Sequence, residues 1–213
     1  MFYLVKTPGW IKKVYLNRTW EINTKEKNIF LSFDDGPHPQ VTSIVLDELK
    51  KYNALATFFC IGKNVLAYPE IYKRIIEEGH TVGNHTHDHL NGWKTNDAAY
   101  LDNIAMAKNY IDSNLFRPPY GKISAFQHQQ LKGEKFKLKT IMWSVLSGDF
   151  DKSVSPQQCL QNVLLNTGQG DIVVFHDSEK ARESVLYALP AVLAYFEKEG
   201  YSFKKIILPE GKS

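Results

Sequence analysis

Cysteine is scarce in this chain: among 213 residues only Cys60, inside an apolar strand-like run, and Cys159, on a helical pattern, are present. Two are too few for a disulfide framework, so both read as buried thiols and the fold must rest on a packed core. Charge of one sign is also missing. The 26 Lys and Arg stand against 23 Asp and Glu, a formal +3 with the signs interspersed, which gives no case for a nucleic-acid partner. No apolar run approaches membrane-spanning length, and none of signal-peptide length follows Met1, so a cytoplasmic location is the default expectation. Long repeats and low-complexity linkers are absent as well. What is present, 43% apolar side chains, suffices for one sizeable core and a single domain.

Residues 1–28 carry Lys6, Lys12, Lys13, Arg18, Lys25 and Lys27 against Glu21 and Glu26. This stretch reads as a solvated extension pinned to the body by Trp10, Tyr15 and Trp20, with the body itself spanning 29–208. The body alternates strand and helix. Strands are expected at 29–33, 56–61, 80–83, 115–117, 138–143, 172–175 and 203–207. Helices are expected at 41–52, where Val41, Val45, Leu49 and Tyr52 share a face, and at 69–78, 96–114, 124–132, 155–165 and 183–199. Ser155-Pro156-Gln157-Gln158 predicts a helix start with an N-cap Ser, a first-position Pro and a capping-box Gln. Seven strands alternating with helices imply parallel pairing and right-handed crossovers. An open doubly wound sheet and a barrel both satisfy that order.

The polar residues favour the barrel. Asp34 and Asp35 follow the first strand, His85 and His89 the third, Arg117 ends the fourth, Asp149 follows the fifth and His176 the sixth. Side chains at the carboxyl ends of barrel strands converge on one rim. Two consecutive aspartates can face one centre only if the chain turns between them, and Gly36-Pro37 supplies a turn, though a solvated Asp-Gly turn explains the tetrapeptide equally well. His85 and His89, four apart, would share one face of a helical turn and so one metal, with His87 facing away; a merely hydrophilic His-rich loop is the alternative. With a carboxylate from the first strand they make a two-His, one-Asp set that leaves positions open for water and substrate. Taken singly, Arg117 also reads as a surface ion pair, His176-Asp177 as a turn and Trp143 as core, while His38, His80 and His128 receive no role.

From about residue 29 to 207 these motifs resemble the polysaccharide deacetylases, the NodB-homology domain of carbohydrate esterase family 4. Ser32-Phe33-Asp34-Asp35-Gly36-Pro37 is similar to the family's first motif, which implies Asp34 as catalytic base and Asp35 as metal ligand. His85-Thr86-His87-Asp88-His89 resembles the second, whose outer histidines complete the metal site. Arg117-Pro118-Pro119-Tyr120 resembles the third, implying that Arg117 pairs with the base, that the Tyr120 N–H helps hold an oxyanion and that Pro119 borders the substrate. Val174-Phe175-His176 resembles the fifth, with Val174 against the acetyl group and His176 as general acid. The fourth motif, Asp-x-x-Asp-Trp, departs to Leu146-Ser147-Gly148-Asp149-Phe150: Asp149 keeps the role of orienting the acid, while Leu146 and Phe150 alter one wall of the groove.

The resemblance implies a distorted (β/α)7 barrel and a hydrolase that removes N-acetyl groups from amino sugars of a glycan, releasing acetate. It implies one divalent ion, zinc by default with cobalt or nickel also fitting, and an N-acetylated glycan as partner, with a monomer expected. An O-acetyl esterase on an acetylated glycan and a non-catalytic glycan-binding barrel are the alternatives.

Overall fold

The computed structural model describes residues 3–208. Its elements are α1 (Gly9–Val14), β1 (Asn28–Asp34), α2 (Val41–Lys51), β2 (Thr57–Cys60), α3 (Gly62–Ala67), α4 (Pro69–Glu77), β3 (Thr81–Asn84), α5 (Asp97–Lys108), β4 (Leu115–Phe116), α6 (Ala125–Lys132), β5 (Lys139–Thr140), β6 (Val145–Leu146), α7 (Pro156–Asn166), β7 (Ile172–His176), α8 (Arg182–Lys198) and β8 (Ser202–Phe203). The sheet is parallel throughout and runs β5-β4-β3-β2-β1-β7-β6, with β8 paired to the start of β1. It is a curved half-barrel with helices outside, as expected of alternating strands and helices.

The two-residue periodicity of β1 decides what faces where. Ile29, Leu31 and Phe33 enter the large core that also holds Val45 and Leu49 of α2 and Val185, Leu189 and Val192 of α8. Phe30 points the other way, into a cluster with Phe59, Leu115, Ile141 and Ile172 on the concave side. Ser32 and Asp34 therefore share the concave face with Phe30. Each fully buried large apolar side chain in the outer layer contributes about 1.5–3 kcal/mol, which fixes β1 as the rigid centre of the molecule.

Several boundaries differ from expectation. An eighth strand, β6, separates Asp149 from the strand expected before it; at two residues it has no periodicity to read. The helix expected over 96–114 stops at Lys108, and the last strand is confined to Ser202–Phe203. Ser155 caps α7 by accepting from the Gln158 N–H at 3.1 Å, but the Gln158 side chain donates onward to Asn162, so the box is half made. Ser124 and Gln127 form the complete box at α6.

The N-terminal segment is held differently from the expected pinning by rings. Trp20 is buried, but Trp10 is 67% and Tyr15 42% exposed. Backbone bonds hold the segment instead: Leu146 N–H donates to Val5 O and Thr7 N–H to Ser144 O, both at 2.8 Å, while Thr19 N–H donates to Thr140 O at 3.0 Å. One stretch of chain thus covers the β6 edge and the β5 edge that the sheet leaves unpaired. Both cysteines are buried and free. Among the described residues no helix is long and apolar enough to cross a membrane.

Candidate active site

Asp34 ends β1 on the concave face, in register with His176 of β7. Arg117, just past β4, reaches it through the barrel interior: Nη1 donates to Asp34 Oδ1 at 2.6 Å and to Ser32 Oγ at 2.8 Å, Nη2 to Met142 O at 3.0 Å, and Nε to Ile141 O at 3.3 Å. Its guanidinium lies 4.0 Å from the Phe59 ring centroid. Arg117 is wholly buried, so the surface ion-pair alternative does not hold. Burial lowers its pKa while Asp34 raises it, and an arginine so placed remains a cation. A buried charge with one anionic partner and three further acceptors meets the condition under which burial is tolerable.

Beyond Asp34 the chain turns sharply, with Asp35 at φ 80. Asp177 holds that turn, accepting from Gly36 N–H at 3.0 Å and from Thr42 Oγ1 at 2.5 Å. A Cβ on Gly36 would lie 2.1 Å from Asp177 Oδ2, so only glycine fits here. Asn64 Nδ2 donates to Asp35 O at 2.7 Å and fixes the far side.

Asp35, His85 and His89 come together, with one ligand atom of each within 4.8 Å of the others. They do so without the expected helical turn. Residues 85–90 form an irregular loop with Thr86 at φ 65 and His89 at φ 59, and the two rings lie 5.1 Å apart. The loop is bonded from both sides. Gly62 and Lys63 at the start of α3 donate to Thr86 O and His87 O at 2.9 and 3.2 Å. Asn103 Oδ1 on α5 accepts from the N–H groups of His87 and Asp88 at 2.8 and 3.0 Å, and its Nδ2 donates to Asp88 Oδ2 at 2.6 Å. Asn84 Oδ1 accepts from Thr86 N–H at 2.8 Å. His87 faces away from the cluster, toward the Tyr110 ring.

This set fits a divalent cation. Asp35 Oδ1 is buried without an aligned hydrogen-bond donor, yet stands 3.1 Å from His89 Nε2 and 3.7 Å from His85 Nε2. His85 Nδ1 lies 2.7 Å from Arg117 O, an acceptor only, so Nδ1 carries the proton and Nε2 turns its lone pair to the cluster. His89 Nδ1 is 3.1 Å from Tyr120 Oη. Burial pushes His85 down to about 4, so it is neutral at pH 7. Burial alone would raise Asp35, but His89 beside it, the charge of His176 and, at acid pH, that of His85 hold it well below the usual carboxylate range.

Across the rim stands a second pair. Asp149 Oδ1 lies 2.8 Å from His176 Nδ1, and Asp149 Oδ2 accepts from the His176 backbone N–H at 2.6 Å. Burial lowers the His176 pKa, but the charge and hydrogen bond of Asp149, with Asp35 and Asp34 beyond, raise it to about 9. Val174 and Leu146 are register partners in β7 and β6 and share the concave face with Ser32, forming an apolar wall. Phe150 meets His176 edge-on with centroids 5.1 Å apart. Pro119 is buried, whereas Tyr120, at φ 59, is half exposed beside His89. Trp143 packs against the concave cluster as the core residue it was read to be.

Asn103, Asn84 and Asp177 escape sequence reasoning. The two asparagines lie outside any motif of charged residues, and Asp177 reads as a turn. His38, His80 and His128 have structural roles: His38 Nδ1 accepts from Val41 N–H at the start of α2, His80 Nδ1 accepts from Ala56 N–H, and His128 Nδ1 meets Thr140 Oγ1.

Comparison with known proteins agrees with this geometry. The family model described as polysaccharide deacetylase matches residues 21–137. A peptidoglycan-N-acetylglucosamine deacetylase of Bacillus cereus is 36% identical over 191 residues, covering 87% of this chain and 89% of that protein. A chitooligosaccharide deacetylase of Azorhizobium caulinodans is 32% identical over 180 residues, 81% of this chain and 84% of the other. The solved Bc1960 peptidoglycan N-acetylglucosamine deacetylase superposes with a TM-score of 0.81 at 29% identity, covering 94% of this chain and 95% of its own. The resemblance of four motifs, the half-barrel that carries them and these matches lead to one conclusion: this chain belongs to the polysaccharide deacetylase family.

Proposed function

We propose that the protein is a metal-dependent hydrolase that removes N-acetyl groups from amino sugars of a poly- or oligosaccharide, with residues 29–208 as the catalytic unit. The observation that carries this reading is the division of labour on one rim. A carboxylate locked to a buried arginine and a cluster fit for a cation face an imidazole that rests protonated. Asp35, His85 and His89 would hold the divalent ion, zinc by default, which when bound supplies Lewis acidity that activates water and polarises the acetyl carbonyl.

The chain's own residues account for the proton movements. Asp34, with one oxygen held by Arg117, takes a proton from the attacking water as its oxygen bonds to the acetyl carbon. The Tyr120 N–H takes part in stabilising the oxyanion that forms. His176, protonated at neutral pH, gives its Nε2 proton to the amide nitrogen as the carbon–nitrogen bond breaks. The products are acetate and a free amino sugar. Asp149 keeps the imidazole oriented and charged, and Val174 with Leu146 offers an apolar wall to the acetyl methyl.

The test pairs Asp34→Asn with Asp35→Asn on an N-acetylglucosamine oligomer, measuring acetate, new primary amine and bound metal. Asp34→Asn should keep its metal and lose roughly 10² to 10⁴ in turnover. Asp35→Asn should lower metal affinity as well, since a neutral amide replaces an anionic ligand. If Asp34→Asn is empty while Asp35→Asn stays loaded, the two roles are reversed. If both stay loaded and active, the hydrolase reading fails. Acetate without amine from an acetylated glycan would mark an O-esterase.

A further inference from the structure

A row of rings runs from the N-terminal segment to His176. Phe150 meets the His176 ring edge-on at 63°, and on Phe150 rests Tyr3, with centroids 5.2 Å apart and planes inclined at 52°. Tyr3 is anchored at both ends. Its hydroxyl reaches the carboxylate of Asp151, next in the chain after Phe150, and two residues on Val5 O accepts the Leu146 N–H of β6 at 2.8 Å. The hydroxyl also packs over Gly148, where a Cβ would lie 2.9 Å from Tyr3 Oη; with Gly148 at φ +83 the backbone leaves room for the ring in a way few other residues permit. Burial and Asp151 push the Tyr3 hydroxyl up to about 12, so it stays a donor across the working pH range.

Of the two bonds from Asp149, one holds the His176 ring at Nδ1 and the other its backbone N–H, while Phe150 packs edge-on against the ring. Phe150 itself sits on the irregular stretch after β6, two residues beyond a left-handed glycine, and Lys180 Nζ, 5.7 Å from its centroid, is a flexible neighbour. The family motif places the larger Trp at this position, and this chain has Phe150 with a tyrosine packed on it.

We propose that Tyr3 is a positioning residue for the general acid: it completes with Phe150 a two-ring wall that sets the His176 imidazole, making the N-terminal segment part of the catalytic site. This rests on the deacetylase reading for the role of His176. The same side-chain contact predicts that a larger ring at 150 makes Tyr3 dispensable.

The experiment uses the full chain loaded with zinc and an N-acetylglucosamine oligomer, with Tyr3→Ala, Tyr3→Phe and the double variant Tyr3→Ala/Phe150→Trp. Tyr3→Ala should lose about 10-fold in kcat with KM and zinc affinity each within about 2-fold, as expected when a reacting group is misplaced and substrate binding is not. Tyr3→Phe, which keeps the ring, should recover most of that rate, and so should the double variant. The His176 Cε1–H NMR signal should move in Tyr3→Ala and return in the double variant. That readout needs no turnover, so a wild-type protein that releases no acetate would overturn the function while leaving this inference testable. A wild-type kcat and an unmoved signal in Tyr3→Ala would overturn it. So would equal losses in Tyr3→Phe and Tyr3→Ala, which would assign the effect to the hydroxyl alone. Should Tyr3→Ala fail to fold, Tyr3→Leu carries the same expectation, because it keeps bulk without a ring.

Discussion

His85 and His176 are imidazoles at the ends of two strands, both turned toward the same pair of aspartates, and they rest in opposite proton states. Burial pushes both toward the neutral form. His85 goes down to about 4 and His176 up to about 9 because of what each Nδ1 meets. For His85 it is the peptide carbonyl of Arg117, which takes a hydrogen bond and carries no charge; for His176 it is the Asp149 carboxylate. Burial sets the default, which His85 keeps and which the Asp149 carboxylate reverses in His176. A neutral ring suits a ligand and a charged ring suits an acid, so a single rim holds both without conflict.

The largest expected effect comes from erasing the difference. Asp149→Asn removes the carboxylate from His176, so its pKa should fall to or below the ordinary histidine value. If His176 is the acid it must be protonated, so wild-type activity should decline as pH rises through about 9, and in the variant the decline should occur at lower pH. Turnover at pH 8 should drop by about 10²- to 10³-fold. A pH–rate profile checks this, and an unmoved alkaline limb would remove His176 from the acid role. A smaller effect is expected from loosening the other side. Asn103→Leu deletes the acceptor of two loop N–H groups, so zinc affinity in a chelator competition should weaken by about 10- to 100-fold while the His176 NMR signal stays in place. Unchanged affinity would show that α3 and Asn84 suffice to hold the loop.

The smallest effect tests a third buried imidazole that has no place in the site. His80 is pushed down to about 4, chiefly by burial. Its folded pKa lies below the unfolded value of 6.5, so the unfolded chain takes up the proton first as pH falls, and stability is lost between about pH 6.5 and 4. His80→Asn, which keeps an acceptor for Ala56 N–H, should remove about 2 kcal/mol of the stability change between pH 7 and pH 5. Denaturant titrations at the two pH values measure it; identical slopes for variant and parent would mean that His80 does not drive the acid sensitivity.

What could be read from the sequence follows the same division. That Asp34, Asp35, His85, His89, Arg117, Asp149 and His176 gather on one rim was legible because titratable side chains closing apolar strands have few structural reasons to be there. The parallel order of strands and helices was legible from alternation, while the barrel curvature was legible only from the polar residues that gather at the strand ends. The loop of His85 and His89 was read as a helical turn because spacing alone cannot reveal φ 65 at Thr86 and φ 59 at His89, conformations that bonds from Asn84 and Asn103 sustain. β6 is two residues long and below the reach of any period. Trp10 and Tyr15 misled because aromatic rings were expected to do what backbone hydrogen bonds do.

The pairing of the sheet also dictates when it can exist. Residues 5–7 bond to 144–146, β1 pairs with β7 and β8, and Thr19 bonds to Thr140, so the middle of the structure joins positions separated by more than a hundred residues. Such closures are slow, and a chain emerging from the ribosome in order must wait for residues 172–176 before β1 gains its second neighbour. Until then one edge of β1 has no strand beside it and its apolar face, covered by α2 alone, lacks the α8 side chains of the core, which makes this strand a point where misassembly during synthesis can begin.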